Sequence, residues 1–510
     1  MTEDASDPVD RLRTSTELDV DAFDERVRAE ATVIEESIAD GTFDNDQVTI
    51  GLEYEFYAVD AESAHVRRVP RTLLHTLGFD EELGLHNAEL NASVQPCNPA
   101  GIDALAKEVE AKLSALHARA ADHGIRFVSD GMWTIGPEYD TADAYLTEAT
   151  HEDGLTLGIN VSNAVRYHAF GSMEGSQAIG GRVDLPGTTI EADSAEPVSL
   201  TTSIQPHYQP RRVADLPAVH GVALRLAGPL LAVAVNSPFL PPELYDERDL
   251  TRELLTAGTY AENRIPVYEG IMNPADGPAK VRFPRDLNAP EDAIERVADD
   301  AVLVPAEISA GERFDDAFVH FRHKHGSYWR WVRPVFDGAS AEDASARIEF
   351  RPLAGQPTVP DTISLVAAFV GATTELHEGD HPVREMAWTA ARDNFYAAAR
   401  DGLNADLAWV TTDGERTTDV DRLYADLFDA ATAGLERHGF DRDRAADWID
   451  PLRRRVDQRL TPASWKRRTA AAAMDDGHDP ADAIRETQRR YVENQTETLF
   501  DGHLVDWPTP

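Results

Sequence analysis

Two glutamates stand one residue apart in an otherwise apolar run, VTIGLEYEFYAV, at residues 48–59. Because side chains alternate between the two faces of a β-strand, this run predicts a strand with Glu53 and Glu55 on one face and its large apolar side chains on the other. Two carboxylates this close repel each other unless cations or water intervene. The pair therefore indicates either a site for divalent cations or a solvated outer face, and the motif alone leaves both interpretations open.

Further segments add carboxylates, arginines and a histidine to predicted strands. These are Glu89 in LHNAELNASVQP (85–96), Gln205 and His207 in SLTTSIQPHYQ (199–209), Arg333 in SYWRWVRPVF (327–336), and Arg347, Glu349 and Arg351 in ARIEFRPL (346–353). Mg²⁺ prefers carboxylate oxygens, and arginines bind phosphates or carboxylates. We therefore predict phosphoryl transfer on one sheet face, because that chemistry depends mainly on positioning and charge neutralisation. The alternative for Glu89 and Glu349 is a structural ion pair with Arg347 or another arginine.

The motifs of several other site types do not occur in the sequence. It contains no GxxxxGK[ST] loop, no GxGxxG after a predicted strand, no GxSxG elbow and no CxxC metal motif. The three histidines of HFRHKH (320–325) are expected in a surface or loop position rather than at a metal. Cys97 lies between prolines with no base nearby in sequence, so it is a poor candidate for a nucleophile.

The charge balance argues against nucleic-acid binding. The chain has 91 acidic and 48 basic residues, a formal charge of −43, and only five of the basic residues are lysines. Phosphate-backbone binding needs clustered basic residues, whereas an acidic, lysine-poor surface suits a salt-rich cytoplasm that screens its self-repulsion. We therefore interpret the charge as adaptation to salt; the competing interpretation is an acidic interaction surface.

A single cysteine cannot form an internal disulfide, and the acidic N-terminus lacks the basic and apolar regions of a secretory signal. These two features predict a cytoplasmic protein. The most apolar stretch, VHGVALRLAGPLLAVAVNSPFL (219–240), is interrupted by Arg225, Pro229 and Pro238. It predicts a buried helix rather than a membrane span.

Composition and periodicity predict a mixed α+β protein in three parts. Residues 1–45 are an acidic helical lead-in, 46–380 alternate short strands with helices and loops, and 381–510 form a helical C-terminal region. IDALAKEVEAKLSALHARAADHG (102–124) and TISLVAAFVGATTEL (362–376) predict helices.

The two ends of the polar-strand set resemble the glutamate–cysteine ligase type 2 family, also called carboxylate–amine ligases. GLEYEF (51–56) is similar to the family's opening strand, and RIEFRPLAGQPTVPDTISLVAAFVGA (347–372) is similar to its closing strand, turn and helix. Weaker similarity lies in AELNASVQP (88–96), VSNAVRYHAFG (161–171), AVNSPFL (234–240) and WVRPVF (331–336). The resemblance covers about residues 47–380.

The resemblance implies a glutamine-synthetase-like catalytic domain, with a curved antiparallel sheet and helices packed on one side. It implies ATP and two or more Mg²⁺ ions, and a reaction that activates the γ-carboxylate of glutamate as an acyl phosphate before an amine such as cysteine attacks. The partners would be small molecules, an amino acid and an amine, and a homo-oligomer is left open. The implied roles are Mg²⁺ binding for Glu53, Glu55, Glu89 and Glu349, phosphate contact for Arg351, binding of phosphate or substrate carboxylate for Arg166 and Arg333, and nucleotide or metal contact for Gln205 and His207.

Two departures from the family pattern limit what the resemblance implies. Many relatives carry an acid four residues before the position of Glu89, where this chain has Leu85, so a third metal site is open. The strand IQPHYQP has Gln205 and Gln209 where relatives have His and Gly, so the nucleotide contacts and the acceptor amine are open. Two alternatives remain: a kinase of a guanidino or carboxylate substrate, and a non-catalytic sensor of nucleotide or amino acid.

Overall fold

The computed structural model describes residues 8–152, 154–169, 181–274 and 279–508. Its strands are β1 (Thr49–Asp60), β2 (Asp80–Glu81), β3 (Asn87–Asn91), β4 (Gln95–Pro96), β5 (Ile125–Val128), β6 (Ala149–Glu152), β7 (Leu155–Gly158), β8 (Arg182–Leu185), β9 (Thr188–Glu191), β10 (Ile204–Gln209), β11 (Val332–Asp337), β12 (Ser345–Phe350), β13 (Trp409–Val410) and β14 (Arg416–Thr417).

The helices precede the first strand, lie between the strands and make up most of the C-terminal part. They are α1 (Pro8–Glu17), α2 (Val20–Ala39), α3 (Arg71–Leu77), α4 (Pro99–Ala120), α5 (Ala142–Thr147), α6 (Val165–Ala169), α7 (Leu216–Ala234), α8 (Arg264–Met272), α9 (Glu291–Ala298), α10 (Val319–His325), α11 (Val359–Glu378), α12 (Trp388–Asp401), α13 (Val420–Arg437), α14 (Arg442–Asp457), α15 (Pro462–Asp475) and α16 (Pro480–Thr498).

One curved antiparallel sheet organises the centre of the protein. In the described residues it has eight strands, with the order β11-β12-β10-β1-β3-β2 and with β4 and β5 also paired to β1. β1 is the long central strand: β10 pairs with its first half, and β3 pairs along its opposite edge. The predicted α+β fold with a curved antiparallel sheet is confirmed.

The apolar face of this sheet lies on a layer of helices. Leu52, Tyr54 and Phe56 of β1 are no more than 1 % exposed, and β-branched and aromatic residues of this kind favour strands that pack on a core. Phe350 of β12 stacks on Phe369 of α11, with ring centroids 4.3 Å apart. The helix layer thus fixes the sheet on one side and leaves the polar side chains on the other.

The helix of the most apolar stretch is buried, as predicted. In the described residues, Val213–Ala234 is the one helix long and apolar enough to cross a membrane by length and composition alone, and 83 % of its apolar window is buried inside the protein. It packs against β11 and β12. The helix predicted at 362–376 is also present, within α11, where Thr358 caps the N-terminus by accepting a bond from the Asp361 amide at 3.1 Å.

The helices after residue 380 pack on elements before it. α12 contacts α7, and both α13 and α14 contact α11. The boundaries at 45 and 380 stay predictions.

The expected surface or loop position of HFRHKH is wrong. The segment forms most of α10, in which His320 and His325 are buried. His320 binds the Glu30 carboxylate at 2.6 Å, and His325 donates to the Pro334 carbonyl at 2.9 Å. The His320 contact follows from the packing of α10 against α2, although Nε2 of His320 has no hydrogen-bond partner in the described residues.

Candidate active site

The strand register brings the predicted polar residues onto one face of the sheet. Across β1 and its neighbours, Gln205 lies opposite Glu53, and Glu89 lies opposite Glu55. One strand further, Glu349 lies between its two cross-strand neighbours, His207 and Arg333. Residues from strands nearly 300 positions apart in sequence therefore face the same space.

A cavity of about 700 Å³ opens over this polar face. Seven of the predicted site residues line it: Glu53, Glu55, Glu89, Arg166, Gln205, Arg333 and Arg351. His207 and Glu349 are not among its described lining residues; both are buried beside it and contact residues that do line it. A cavity of this size suits a nucleotide-sized ligand.

The predicted carboxylates separate into two clusters. In the first, ligand atoms of Glu53, His207 and Glu349 lie within 4.8 Å of one another. Burial and the negative charge of Glu349 raise the pKa of Glu53 to about 8. Burial also raises the pKa of Glu349, but Arg333 and Arg351 outweigh it and hold that pKa well below its ordinary value. This cluster therefore contains one carboxylate already neutralised by arginines and one that lacks a full counter-charge.

The second cluster consists of Glu55, Glu82 and Glu89, whose ligand atoms also lie within 4.8 Å of one another. Burial and the charge of Glu82 raise the pKa of Glu55 to about 7, although the Ser203 amide and Gln205 donate to its oxygens at 2.6 and 2.8 Å. Burial, followed by the charges of neighbouring glutamates, raises the pKa of Glu89 well above its ordinary value. Three acids held this close without a cation are electrostatically costly.

Sequence reasoning missed Glu82, which directly follows the two-residue strand β2. The family pattern expects an acid at the position of Leu85, three residues later. The available signal was the acidic run FDEELG (79–84), but the chain turns tightly after it: a Cβ at Gly84 would lie 2.4 Å from the Asn87 side chain. Strand alternation does not extend through such a turn, so it could not assign a face to Glu82.

The donor set of both clusters fits divalent cations. Glutamate oxygens in two groups are hard ligands of the kind Mg²⁺ prefers, and the raised pKa values of Glu53 and Glu55 mean that their ionised forms are disfavoured until a cation stabilises them. His207 is the exception, because the ring nitrogen that faces the cluster carries a proton and so cannot bind a cation. Arg347 donates to Nδ1 of His207 at 3.2 Å, which puts the proton of the neutral ring on Nε2, the atom 3.4 Å from Glu53.

The arginines expected at phosphate are held by Glu349 in this structure. Arg333 binds both oxygens of Glu349, at 3.0 and 3.2 Å, and Arg351 binds Glu349 at 2.5 Å and Gln205 at 2.8 Å. The structural ion pair that was the alternative for Glu349 thus exists, with Arg333 and Arg351 rather than Arg347. Both guanidinium groups still line the cavity.

Arg166 differs from the other cavity arginines. Of the arginines in the described cavity wall, it alone has no carboxylate within ion-pair distance; its one hydrogen bond is to the Tyr167 hydroxyl at 3.2 Å. Tyr167, followed by Glu82 and Glu89, raises its pKa. Arg264 and Arg330, which sequence reasoning missed, are paired with Glu262 and Asp300. Arg166 is therefore the cavity arginine with donors left for a ligand.

Aromatic side chains form another part of the cavity wall. Tyr268, Trp329 and Trp331 line the cavity, and Trp331 is fixed by donating to Glu269 at 2.7 Å. Trp329 and Trp331 are therefore part of the pocket wall.

Comparison with known proteins supplies the family. The family model for glutamate-cysteine ligase family 2 (GCS2) matches residues 49–497, which continues well beyond the expected end of the resemblance near residue 380. A glutamate–cysteine ligase from Francisella tularensis, crystallised in complex with AMP, is similar in fold: TM-score 0.51, 14 % identity, 91 % of this chain and 92 % of that chain. A bifunctional glutathione synthetase from Pasteurella multocida has TM-score 0.45 and 12 % identity over 91 % of this chain, which spans 54 % of that protein.

No curated protein sequence matches the chain. The family match nevertheless covers most of its length, including every strand of the central sheet. The chain belongs to glutamate-cysteine ligase family 2 and is an ATP-dependent carboxylate–amine ligase.

Proposed function

We propose that the enzyme activates the γ-carboxylate of glutamate as an acyl phosphate and joins it to an amine, with cysteine as the first acceptor to test. The observation that carries the proposal is the placement of two acidic clusters and several arginines on the walls of one cavity. Phosphoryl transfer needs such a combination, because the phosphates and the incoming carboxylate are all negative. The family to which the chain belongs supports glutamate and cysteine as the substrates to try first.

We assign one Mg²⁺ to Glu53 and Glu349, with His207 beside them, and another to Glu55, Glu82 and Glu89. Mg²⁺ bound there would offset the negative charge of the ATP phosphates. The glutamates hold their positions because each lies on, or directly beside, a paired strand of the sheet. The second cluster is also fixed by the Ser203 amide and Gln205, which hold the Glu55 carboxylate.

The arginines would bind the negative groups of the substrates. Arg351 and Arg333 line the cavity next to Glu349, so cation binding at Glu349 would leave their donors for phosphate oxygens. Arg166 would bind a substrate carboxylate that does not react, because it has no carboxylate partner in the described part of the chain. Fixing a remote group in this way orients the reacting one.

The reaction has two steps. An oxygen of the glutamate γ-carboxylate attacks the γ-phosphorus of ATP, and the bond to ADP breaks. The amine nitrogen then attacks the acyl carbon, the carbon–oxygen bond to phosphate breaks, and phosphate leaves while the nitrogen loses a proton to solvent.

The experiment that tests the proposal measures ADP and phosphate release with each substrate alone and with both. We expect sustained release with glutamate and amine together, and a hydroxamate when hydroxylamine replaces the amine. Glu53→Gln should abolish turnover while the protein stays folded. ADP release with a phosphorylated product and no amide would favour the kinase alternative, and binding without turnover would favour the sensor.

A further inference from the structure

A buried ion pair, Lys466–Asp130, lies outside the described lining of the cavity. Lys466 of α15 is 2 % exposed and Asp130, which follows β5, is 0 % exposed. The Lys466 ammonium donates to the Asp130 carboxylate and to the Asn236 carbonyl, the latter at 2.9 Å. The Gly131 amide and Gln488 of α16 donate to the same carboxylate at 2.6 and 2.8 Å. Each oxygen of Asp130 is therefore satisfied, which a buried charge requires.

The backbone beside Asp130 connects this pair to the second acidic cluster. The Thr202 hydroxyl donates to the Asp130 carbonyl, and the Thr202 amide donates to the Gly131 carbonyl at 3.3 Å. The next residue, Ser203, donates its amide to Glu55 at 2.6 Å and accepts from the Glu55 amide at 3.1 Å. Thr202, which is bonded to Asp130, is thus the residue directly before Ser203, whose amide fixes the predicted cation ligand Glu55.

The segment after Arg351 is tied to the same anchor. The Gly355 amide donates to the Thr202 carbonyl at 3.2 Å, and a Cβ at Gly355 would lie 2.2 Å from the Asp130 carbonyl oxygen. Asn236 donates to the Gly355 carbonyl at 2.7 Å and to Tyr491 of α16 at 3.0 Å. Gly355 and the Asp130 carbonyl are so close that neither backbone segment can shift without moving the other.

We infer that Lys466 and Asp130 are positioning residues of the ligase site, through which α15 and α16 hold the Thr202–Ser203 segment and with it Glu55. The inference rests on the proposed function, since it takes Glu55 as a cation ligand. It assigns the last two long helices a part in the chemistry, although neither lines the described wall of the cavity.

The test compares Asp130→Asn with Asp426→Asn. Asparagine cannot supply both carboxylate oxygens, so Lys466 loses its counter-charge and the 130–131 segment can shift. Asp426 is the control: it is a partly buried carboxylate that accepts bonds from Trp409 at 2.7 Å and Thr412 at 2.8 Å, and these partners belong to the C-terminal part. Both substitutions remove a carboxylate charge whose hydrogen bonds are satisfied, but only Asp130→Asn should change the position of Glu55.

The measurements are Mn²⁺ affinity of the full-length protein without nucleotide, by electron paramagnetic resonance, and kcat and KM for ATP. We expect Asp130→Asn to weaken Mn²⁺ binding about 10- to 100-fold, the range seen when groups that orient metal ligands are removed, and to lower kcat. Asp426→Asn should keep both values within about twofold.

A second pair of variants covers the case in which Asp130→Asn does not fold. Thr202→Val removes only the hydroxyl bond to the Asp130 carbonyl and leaves the ion pair intact; Thr432→Val removes a comparable buried hydroxyl bond, to Phe428 in α13. Thr202→Val should weaken Mn²⁺ binding and Thr432→Val should not. Folded Asp130→Asn or Thr202→Val protein with wild-type Mn²⁺ affinity and kcat overturns the inference alone. Wild-type protein that binds no Mn²⁺ overturns the proposed function and the inference with it.

Discussion

Replacing Glu82 by glutamine should stabilise the metal-free protein and weaken its response to Mg²⁺. In the second acidic cluster, oxygens of Glu55, Glu82 and Glu89 lie within 4.8 Å of one another. Two unit negative charges at that separation repel by about 3.5 kcal/mol at an effective dielectric constant of about 20. Glu82 is the largest charge that raises the pKa of Glu55, and protonation already relieves part of the repulsion. We therefore expect Glu82→Gln to raise the free energy of unfolding by about 1–3 kcal/mol at pH 8 in EDTA.

The assay is denaturant unfolding of wild-type and variant protein at pH 8, with EDTA or with Mg²⁺. Mg²⁺ should stabilise the wild type, because it binds the folded cluster, and should stabilise Glu82→Gln much less. Glu196→Gln is the matched control: burial raises the pKa of Glu196 to about 8, but it lies outside both clusters, so its effect should not depend on Mg²⁺. A Glu82→Gln protein less stable than wild type in EDTA, with the full Mg²⁺ response, would refute the reasoning.

Three further predictions concern pH, substrate binding and salt. Burial and like charge raise the pKa of Glu53 to about 8 and of Glu55 to about 7, so both groups bind a proton more tightly in the folded protein than in the unfolded chain. In EDTA, the stability that this contributes is full below their ordinary pKa and is lost as pH rises towards 8. A free energy of unfolding that stays constant from pH 5 to 8 would contradict this. Arg166→Gln should raise KM for the carboxylate substrate about 10- to 100-fold with little change in kcat, as steady-state kinetics would measure; an unchanged KM would exclude the assigned contact. From the protein's charge of −43, we propose that it is a salt-adapted cytoplasmic protein. Its melting temperature should rise as KCl is increased from about 0.1 M to about 1 M, because the screening length falls from about 10 Å to about 3 Å over that range. A melting temperature that does not rise would argue against salt adaptation.

Local sequence pattern was enough to place most of the candidate site on one face of the sheet. Alternation in β1 assigns Glu53 and Glu55 to the polar face, and the structure has both in the cavity wall. The pattern could not show that they belong to different clusters. That division follows from pairing: β10 and β12 bring His207 and Glu349 to Glu53, whereas β2 and β3 bring acids to Glu55.

Residues outside regular strands were harder to predict. Glu82 follows a strand of two residues and precedes a tight turn, so no periodicity assigns its direction. The pairing of Arg333 and Arg351 with Glu349 depends on side-chain geometry that residue type alone does not specify. The Lys466–Asp130 contact joins positions 336 residues apart, and only the packed fold brings them together.

The central claim is that this site makes an acyl phosphate, and oxygen transfer tests it most directly. Glutamate labelled with ¹⁸O in its γ-carboxylate would be incubated with ATP, cysteine and Mg²⁺, and the released phosphate analysed by mass spectrometry. The account predicts one ¹⁸O atom from the carboxylate in each phosphate, because the carbon–oxygen bond breaks when the amine attacks. Unlabelled phosphate released alongside the amide product would contradict it.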